Sequence, residues 1–273
     1  MKNRLLSSLL LLALLFMLPL GSSASTFDSL VVYGDSLSDN GNLGVDFTDG
    51  DVWVETLAAT LGAELFDFAY GGATTWYQNP SVNETNPTDP TLGLQWQIDT
   101  YGVPSTENTL YSVWAGANDL SFGTHYGRAA LNVGIALEKL YSAGATDILV
   151  GNLPDIGSTP RYFGEEGQDL VSGWTFGFNF VLDSVLNVFE MIHTDVNLYK
   201  FDAYSMFASF TPGTQEWKDL FWIDGFHPSS IGHQLIYETA LAAVAPVPEP
   251  STILLLGSGL FGLAWYGRKR KAA

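Results

Sequence analysis

Five short apolar runs, rich in β-branched or aromatic residues, recur at Leu30–Tyr33, Leu65–Tyr70, Leu110–Ala115, Ile148–Gly151 and Leu198–Phe201. Helix-like segments separate most of them, the rhythm of a parallel α/β sheet rather than of a bundle or a sandwich of hairpins. The spacing predicts helices over Val52–Leu61, Gly127–Ala143, a long stretch within Val171–His193, and Ser229–Val244, the last entered through Pro228 and Ser229. Sequential βα units cross over with one hand, so the expectation is a three-layer α/β/α sandwich around a central parallel sheet of about five strands. The segment from Thr75 to Pro104, with Trp76, Tyr77, Trp96 and Tyr101 among Asn, Thr and Pro, is long enough to belong to a binding rim.

Both ends read as removable. Lys2 and Arg4 precede an apolar stretch from Leu5 to Leu20, and Gly21-Ser22-Ser23-Ala24 follows, the layout of a signal peptide over residues 1–24 that a signal peptidase would cleave. A second apolar stretch, Ile253–Tyr266, carries Gly257, Gly259 and Gly262, and at about 14 residues it is short for an ordinary membrane span. Between them, residues 25–245 suffice for one domain with a sizeable core.

Nearly all of the 29 acidic residues lie in that middle portion, which keeps only Arg128, Lys139, Arg161, Lys200 and Lys218 as bases, so it is more acidic than the whole chain at −18. Such a surface repels nucleic-acid phosphates and anionic membranes, and no nucleic-acid partner is expected. With no cysteine the domain must stand without disulfides or thiolate metal ligands, so eight Trp, twelve Tyr and 17 Phe supply large surfaces for packing.

Chemistry concentrates at two places. The first apolar run ends in Gly34-Asp35-Ser36-Leu37, and near the other end stands Asp224-Gly225-Phe226-His227. A serine just after a buried strand sits on the rim where open α/β sheets bind ligands, and a distant Asp/His pair can return to activate it. Taken alone, Gly34-Asp35-Ser36 reads equally as a strand-to-helix turn with a capping serine. Likewise Gly71-Gly72 could be an ordinary tight turn, and Asn118-Asp119 a loop or helix cap.

In order along the chain, Gly34-Asp35-Ser36-Leu37, Phe68-Ala69-Tyr70-Gly71-Gly72-Ala73-Thr74, Gly116-Ala117-Asn118-Asp119 and Asp224-Gly225-Phe226-His227 resemble the blocks of the GDSL, or SGNH, hydrolase family. Leu94-Gln95-Trp96-Gln97 and Leu153-Pro154-Asp155-Ile156-Gly157 read like its intermediate segments. The resemblance implies a flavodoxin-like SGNH hydrolase fold and an acyl-enzyme on Ser36, with His227 as base and Asp224 fixing the imidazole's tautomer. It places the oxyanion donors on the backbone N–H groups of Ser36 and Gly72 and on the Asn118 amide, and implies no cofactor. Its substrates would be small-molecule or polysaccharide carboxylic esters. The expectation is a serine esterase or lipase-like acylhydrolase, with a carbohydrate O-acyl esterase or an inactive matrix protein as alternatives.

Other polar residues are expected to be structural. His125 and His193 lack an Asp at the matching spacing, and His233 falls inside a predicted helix. Asp35 and Asp39 suit backbone bonding in the turn, and Asp155 a rim loop. Asp67 stands where the family often has Asn, which puts one supporting hydrogen bond in question. The carboxylates do not cluster with histidine, so no metal site is expected.

The C-terminal order of Val247-Pro248-Glu249-Pro250-Ser251, an apolar segment and Arg268-Lys269-Arg270-Lys271 resembles the PEP-CTERM sorting signal of Gram-negative bacteria over 247–273. That resemblance implies transient membrane anchoring, removal of the tail by an exosortase, and a final place in the envelope, at the cell surface or outside the cell.

Overall fold

Alternation along the strands decides how this chain layers. In β1 (Ser29–Gly34), Val31 and Tyr33 join one apolar cluster and Leu30 and Val32 the other, and all four are fully buried. A strand buried on both faces needs helices on both faces, and the intervening segments supply them. The computed structural model describes residues 27–81, 91–104 and 108–245. The expected signal peptide at 1–24, the sorting segment at 247–273 and part of the Thr75–Pro104 rim lie outside those residues.

After β1 come α1 (Trp53–Leu61), β2 (Glu64–Asp67), α2 (Leu94–Tyr101), β3 (Thr109–Trp114) and α3 (Ala117–Phe122). Then follow α4 (Tyr126–Ser142), β4 (Asp147–Gly151), a 3₁₀ turn at Ile156–Ser158, α5 (Gln168–Ile192), β5 (Asn197–Phe201), α6 (Ala203–Ala208), α7 (Gln215–Lys218) and α8 (Ser230–Val244). The five strands are parallel in the order β2-β1-β3-β4-β5. Residues of α2, α4 and α5 pack on one face, and residues of α1, α6 and α8 on the other. This is the three-layer α/β/α sandwich that the strand rhythm predicts.

The order places the site. From β1 the chain moves outward to β2 and then returns past β1 to β3, so the winding reverses between β1 and β3, and a crevice opens at their carboxyl ends. Gly34 and Trp114 are register partners there. A side chain on Gly34 would put Cβ 2.5 Å from the Trp114 carbonyl oxygen, so glycine lets the two strands run this close up to the turn that carries Ser36.

Two local readings differ from expectation. β2 stops at Asp67 instead of continuing to Tyr70: the Asp67 side chain accepts the Ala69 N–H at 2.9 Å, while the Phe68 and Tyr70 N–H groups still donate to the Val32 and Gly34 carbonyls at 2.9 and 3.2 Å. The segment around Asn118 is neither plain loop nor cap but the first turn of the six-residue helix α3.

Candidate active site

Ser36 follows β1 in a tight turn in which the Ser38 and Asp39 N–H groups donate to the Asp35 carbonyl, each at 3.0 Å. The Asp35 side chain accepts from the Leu37 N–H at 3.0 Å, the local bonding expected of it. Buried glutamine Gln97 of α2 completes the strand end: its side-chain oxygen accepts the Gly34 N–H at 3.0 Å and its amide donates to the Gly34 carbonyl at 2.8 Å. That reciprocal pair completes the end of β1 together with the Tyr70 N–H, which donates to the same Gly34 carbonyl at 3.2 Å.

On the far side of the crevice, the loop before α8 carries Asp224 and His227. One oxygen of Asp224 accepts the Phe226 and His227 N–H groups at 2.9 and 3.0 Å. Its other oxygen lies 2.5 Å from His227 Nδ1. One carboxylate thus shapes the turn and orients the ring. The loop is tied to its surroundings by Trp222 N–H donating to the His227 carbonyl at 2.8 Å and Arg161 N–H to the Gly225 carbonyl at 2.9 Å. His227 Nε2 lies 2.8 Å from Ser36 Oγ across 191 residues of sequence. Phe47 and Phe226 flank the imidazole with ring centroids 5.0 and 5.1 Å away. Partial burial alone would raise the Asp224 carboxyl, but hydrogen bonds from the Phe226 N–H and the His227 ring and N–H outweigh it and hold it below its ordinary value.

The turn at Gly71-Gly72 closes the third side. Gly72 has φ +83°, and a Cβ there would meet Ser81 Oγ at 2.2 Å and Asn79 Oδ1 at 2.6 Å, so both backbone and space call for glycine. The Asp39 carboxylate accepts the Gly71 N–H at 2.7 Å and the Asn42 N–H at 2.6 Å. Among the described residues no acceptor engages the N–H of Ser36 or Gly72. The Asn118 amide donates to the Ala73 carbonyl at 3.1 Å and to Asp35 Oδ2 at 3.3 Å. Ser36, His227 and Asp224 are thus linked in series, and Asn118 bridges Asp35 and Ala73, the chain neighbours of Ser36 and Gly72.

Beneath the crevice lies a buried polar girdle that the sequence did not announce. Asp119 accepts the Thr75 N–H at 2.7 Å and its hydroxyl at 2.9 Å, Asn132 donates to that hydroxyl at 3.0 Å, and Gln95 donates to the Thr75 carbonyl at 3.2 Å. These bonds tie the loop after Gly72 to the helix that presents Asn118. Burial pushes the Asp119 carboxyl up to about 6 against the pull of Thr75, and the fully buried Asp35 up to about 7.

The remaining histidines are elsewhere engaged. His125 caps α4 by accepting the Gly127 N–H, His193 pairs with Glu138 at 2.9 Å, and buried His233 accepts the Trp53 N–H at 3.3 Å. Asp155 caps the 3₁₀ turn and accepts the hydroxyls of Ser158 and Ser172. Among the described residues no three His, Cys, Asp or Glu side chains converge as a metal site would require.

Comparison with known proteins gives this crevice a lineage. The family described as GDSL-like lipase/acylhydrolase matches residues 30–240, most of the chain and every block named above. The chain belongs to that family. A second match, the PEP-CTERM protein-sorting motif, covers residues 246–271 and implies export and processing at the Gram-negative cell envelope. Relatives of this GDSL-family chain include Lipase 1 of Photorhabdus luminescens, 27% identical over 211 residues, covering 64% of this chain and 32% of the relative. An acetylesterase of Hypocrea jecorina is 30% identical over 126 residues, covering 35% of this chain and 36% of its own. The chain thus spans about a third of the length of either relative. Among solved structures, a member of the lipolytic G-D-S-L family from Veillonella parvula superposes with a TM-score of 0.53 at 18% identity, covering 78% of this chain and 96% of that one. An acetyl-xylooligosaccharide esterase from Geobacillus stearothermophilus gives a TM-score of 0.50 at 14% identity, covering 80% and 94%. At such identities both neighbours speak for the fold alone.

Proposed function

We propose that the protein is an exported serine esterase that cleaves carboxylic esters through an acyl-enzyme on Ser36. The observation that carries this reading is the continuous chain from Ser36 Oγ through His227 to Asp224, at 2.8 and 2.5 Å.

Ser36 Oγ attacks the ester carbonyl carbon while its proton passes to His227 Nε2. Asp224, kept ionised by its hydrogen bonds, holds Nδ1–H and stabilises the imidazolium that results. The carbonyl π electrons move to oxygen, and the oxyanion takes hydrogen bonds from the N–H groups of Ser36 and Gly72 and from Asn118, whose longer contact to Asp35 is the one exchanged. Collapse expels the alcohol, which takes the proton from His227. Water, deprotonated by the same imidazole, then attacks the acyl-enzyme and releases the carboxylic acid and free Ser36.

A second reading within the same chemistry is a carbohydrate O-acyl esterase, favoured by the acetylesterase relative and by a strongly acidic domain ill suited to anionic lipid surfaces. A panel of acyl esters of graded chain length, together with acetylated polysaccharide, separates the two.

Labelling with a fluorophosphonate tests the shared reading. The parent protein is expected to take up one label, and Ser36→Ala none, with unchanged thermal melting. Equal ester turnover by parent and Ser36→Ala would remove the proposal, since the chemistry would then lie elsewhere.

A further inference from the structure

The longest helix keeps an apolar row on its outer side that neither the core nor the crevice uses. α5 turns Phe178, Leu182, Leu186 and Phe189 into the core, yet Phe176 and Phe180 remain 64% and 67% exposed, and Met191 72%. Leu131 and Ile135 of the adjacent α4 extend the patch, at 53% and 37% exposed. With two aromatics of about 150–250 Å² each and their aliphatic neighbours, the face is comparable to the roughly 800 Å² per partner of a standard protein interface. That exceeds what a monomer usually leaves bare.

We infer that this face is the contact between two copies of the chain, packed with their α5 helices antiparallel. The exposed row reads Gly173, Phe176, Phe180, Ser184, Val188, Met191, and an antiparallel pair centred between Phe180 and Ser184 sets each large side chain against a small or branched one. Gly173 then faces Met191, Phe176 faces Val188, and Phe180 faces Ser184. A two-fold axis makes all three contacts occur twice, as a self-complementary interface requires. Gly173 supplies an independent sign. It lies inside a helix, where glycine is unfavourable, and a Cβ there would meet nothing within 4 Å, so nothing in its own chain calls for it. By contrast, Gly177 of the same helix would strike the Tyr126 ring and Gly134 of α4 would strike Val185.

A lipid surface fits the face less well. α5 is long and apolar enough to cross a membrane, but its core-facing residues are packed against the sheet's helices. Helices that lie on membranes carry Lys or Arg along their polar flank, whereas α5 has neither and bears Asp169, Asp183 and Glu190.

The absence of cysteine makes a direct test clean. In the full-length chain in mild detergent, Ser184→Cys should form a covalent dimer with a short bis-maleimide, because the two copies of residue 184 flank the axis. Gly173→Cys alone should not, since the two copies of residue 173 would stand about 27 Å apart along the helices. Mixing Gly173→Cys with Met191→Cys protein should restore the cross-link. Failure of Ser184→Cys to cross-link, or cross-linking of Gly173→Cys alone, overturns the proposal. Sedimentation of Phe180→Glu supplies a second measurement: with the parent's melting temperature retained, the variant should be monomeric where the parent is dimeric. A parent that stays monomeric at all concentrations, while Phe180→Glu loses binding to phosphatidylcholine vesicles, would give the face to lipid and likewise overturn it.

Discussion

Asn79 donates its side-chain amide to the carbonyl oxygen of Gly71 at 2.7 Å while its own side-chain oxygen accepts the Ser81 N–H at 3.1 Å. The residue is buried, so this pair of bonds fixes the peptide that leads into Gly72 from the side opposite Asp39. Asn79→Ala leaves the Gly71 carbonyl without that donor, a loss worth about 1–3 kcal/mol for a buried group. The expected outcome is a lowered melting temperature and about a tenfold fall in kcat with KM little changed. Thermal melting and steady-state kinetics on a soluble acetate ester check it, and an unchanged kcat would make Asn79 a stabilising residue only.

Asn118 should behave differently. Its amide lies at the crevice rather than beneath it, so Asn118→Ala is expected to lower kcat about 10²- to 10³-fold, the cost of one oxyanion donor, with KM near that of the parent. A change confined to KM would show that the amide holds substrate in the ground state instead.

Stability should depend on pH through Asp67. Burial, reinforced by the charges of Asp39 and Glu55 and opposed by the Ala69 and Asn40 N–H groups, pushes its carboxyl up to about 8. An unfolded Asp loses its proton near about 4, so between those values the folded chain binds a proton that the unfolded chain has released. The contribution of Asp67 is therefore complete below pH about 4 and is lost as pH rises through about 8. Asp67→Asn removes that loss. The melting temperature of the variant, relative to the parent, should rise steadily from pH 5 to pH 8.5, and a constant difference across that range would contradict the shift.

Much of this arrangement could be read from residues close together in the chain. Strand runs are visible because both faces of a parallel sheet are apolar; Ser36 stands in a short block at the end of the first run, and Asp224 and His227 in one just before the last helix. Gln97 and Asp119 escaped a functional reading because each acts on a backbone group far away in sequence, Gln97 on Gly34 and Asp119 on Thr75, and Asn79 because it reaches back to a turn eight residues earlier. A buried Gln in a helix has no local pattern that distinguishes it from a solvated one. Only the Asn79-Pro80 pair hints at a turn, and it says nothing of where the amide points. The short helices α3, α6 and α7 were likewise hidden, because four to six residues do not establish a period.

At the C-terminus, a host with an exosortase should release a protein that begins near Ser25 and lacks the segment from about Ser251 onward. Until then the Arg268–Lys271 cluster is expected to hold the tail on the cytoplasmic side. Intact mass of the protein recovered from the envelope or the medium decides the matter, and a species retaining Arg268 to Ala273 would indicate an unprocessed anchor.

The separation of 191 positions between Ser36 and His227 carries a consequence for the producing cell. On the proposed mechanism, export of the kind the sorting motif implies would carry Ser36 across the inner membrane before His227 has followed. While threaded, the chain holds a serine without an imidazole beside it, and cytoplasmic esters meet no competent centre. Under the proposed roles of Ser36 and His227, hydrolysis would begin only once α8 has docked behind the loop of His227, so the appearance of activity would time the completion of translocation, and a chain stalled part-way would stay harmless.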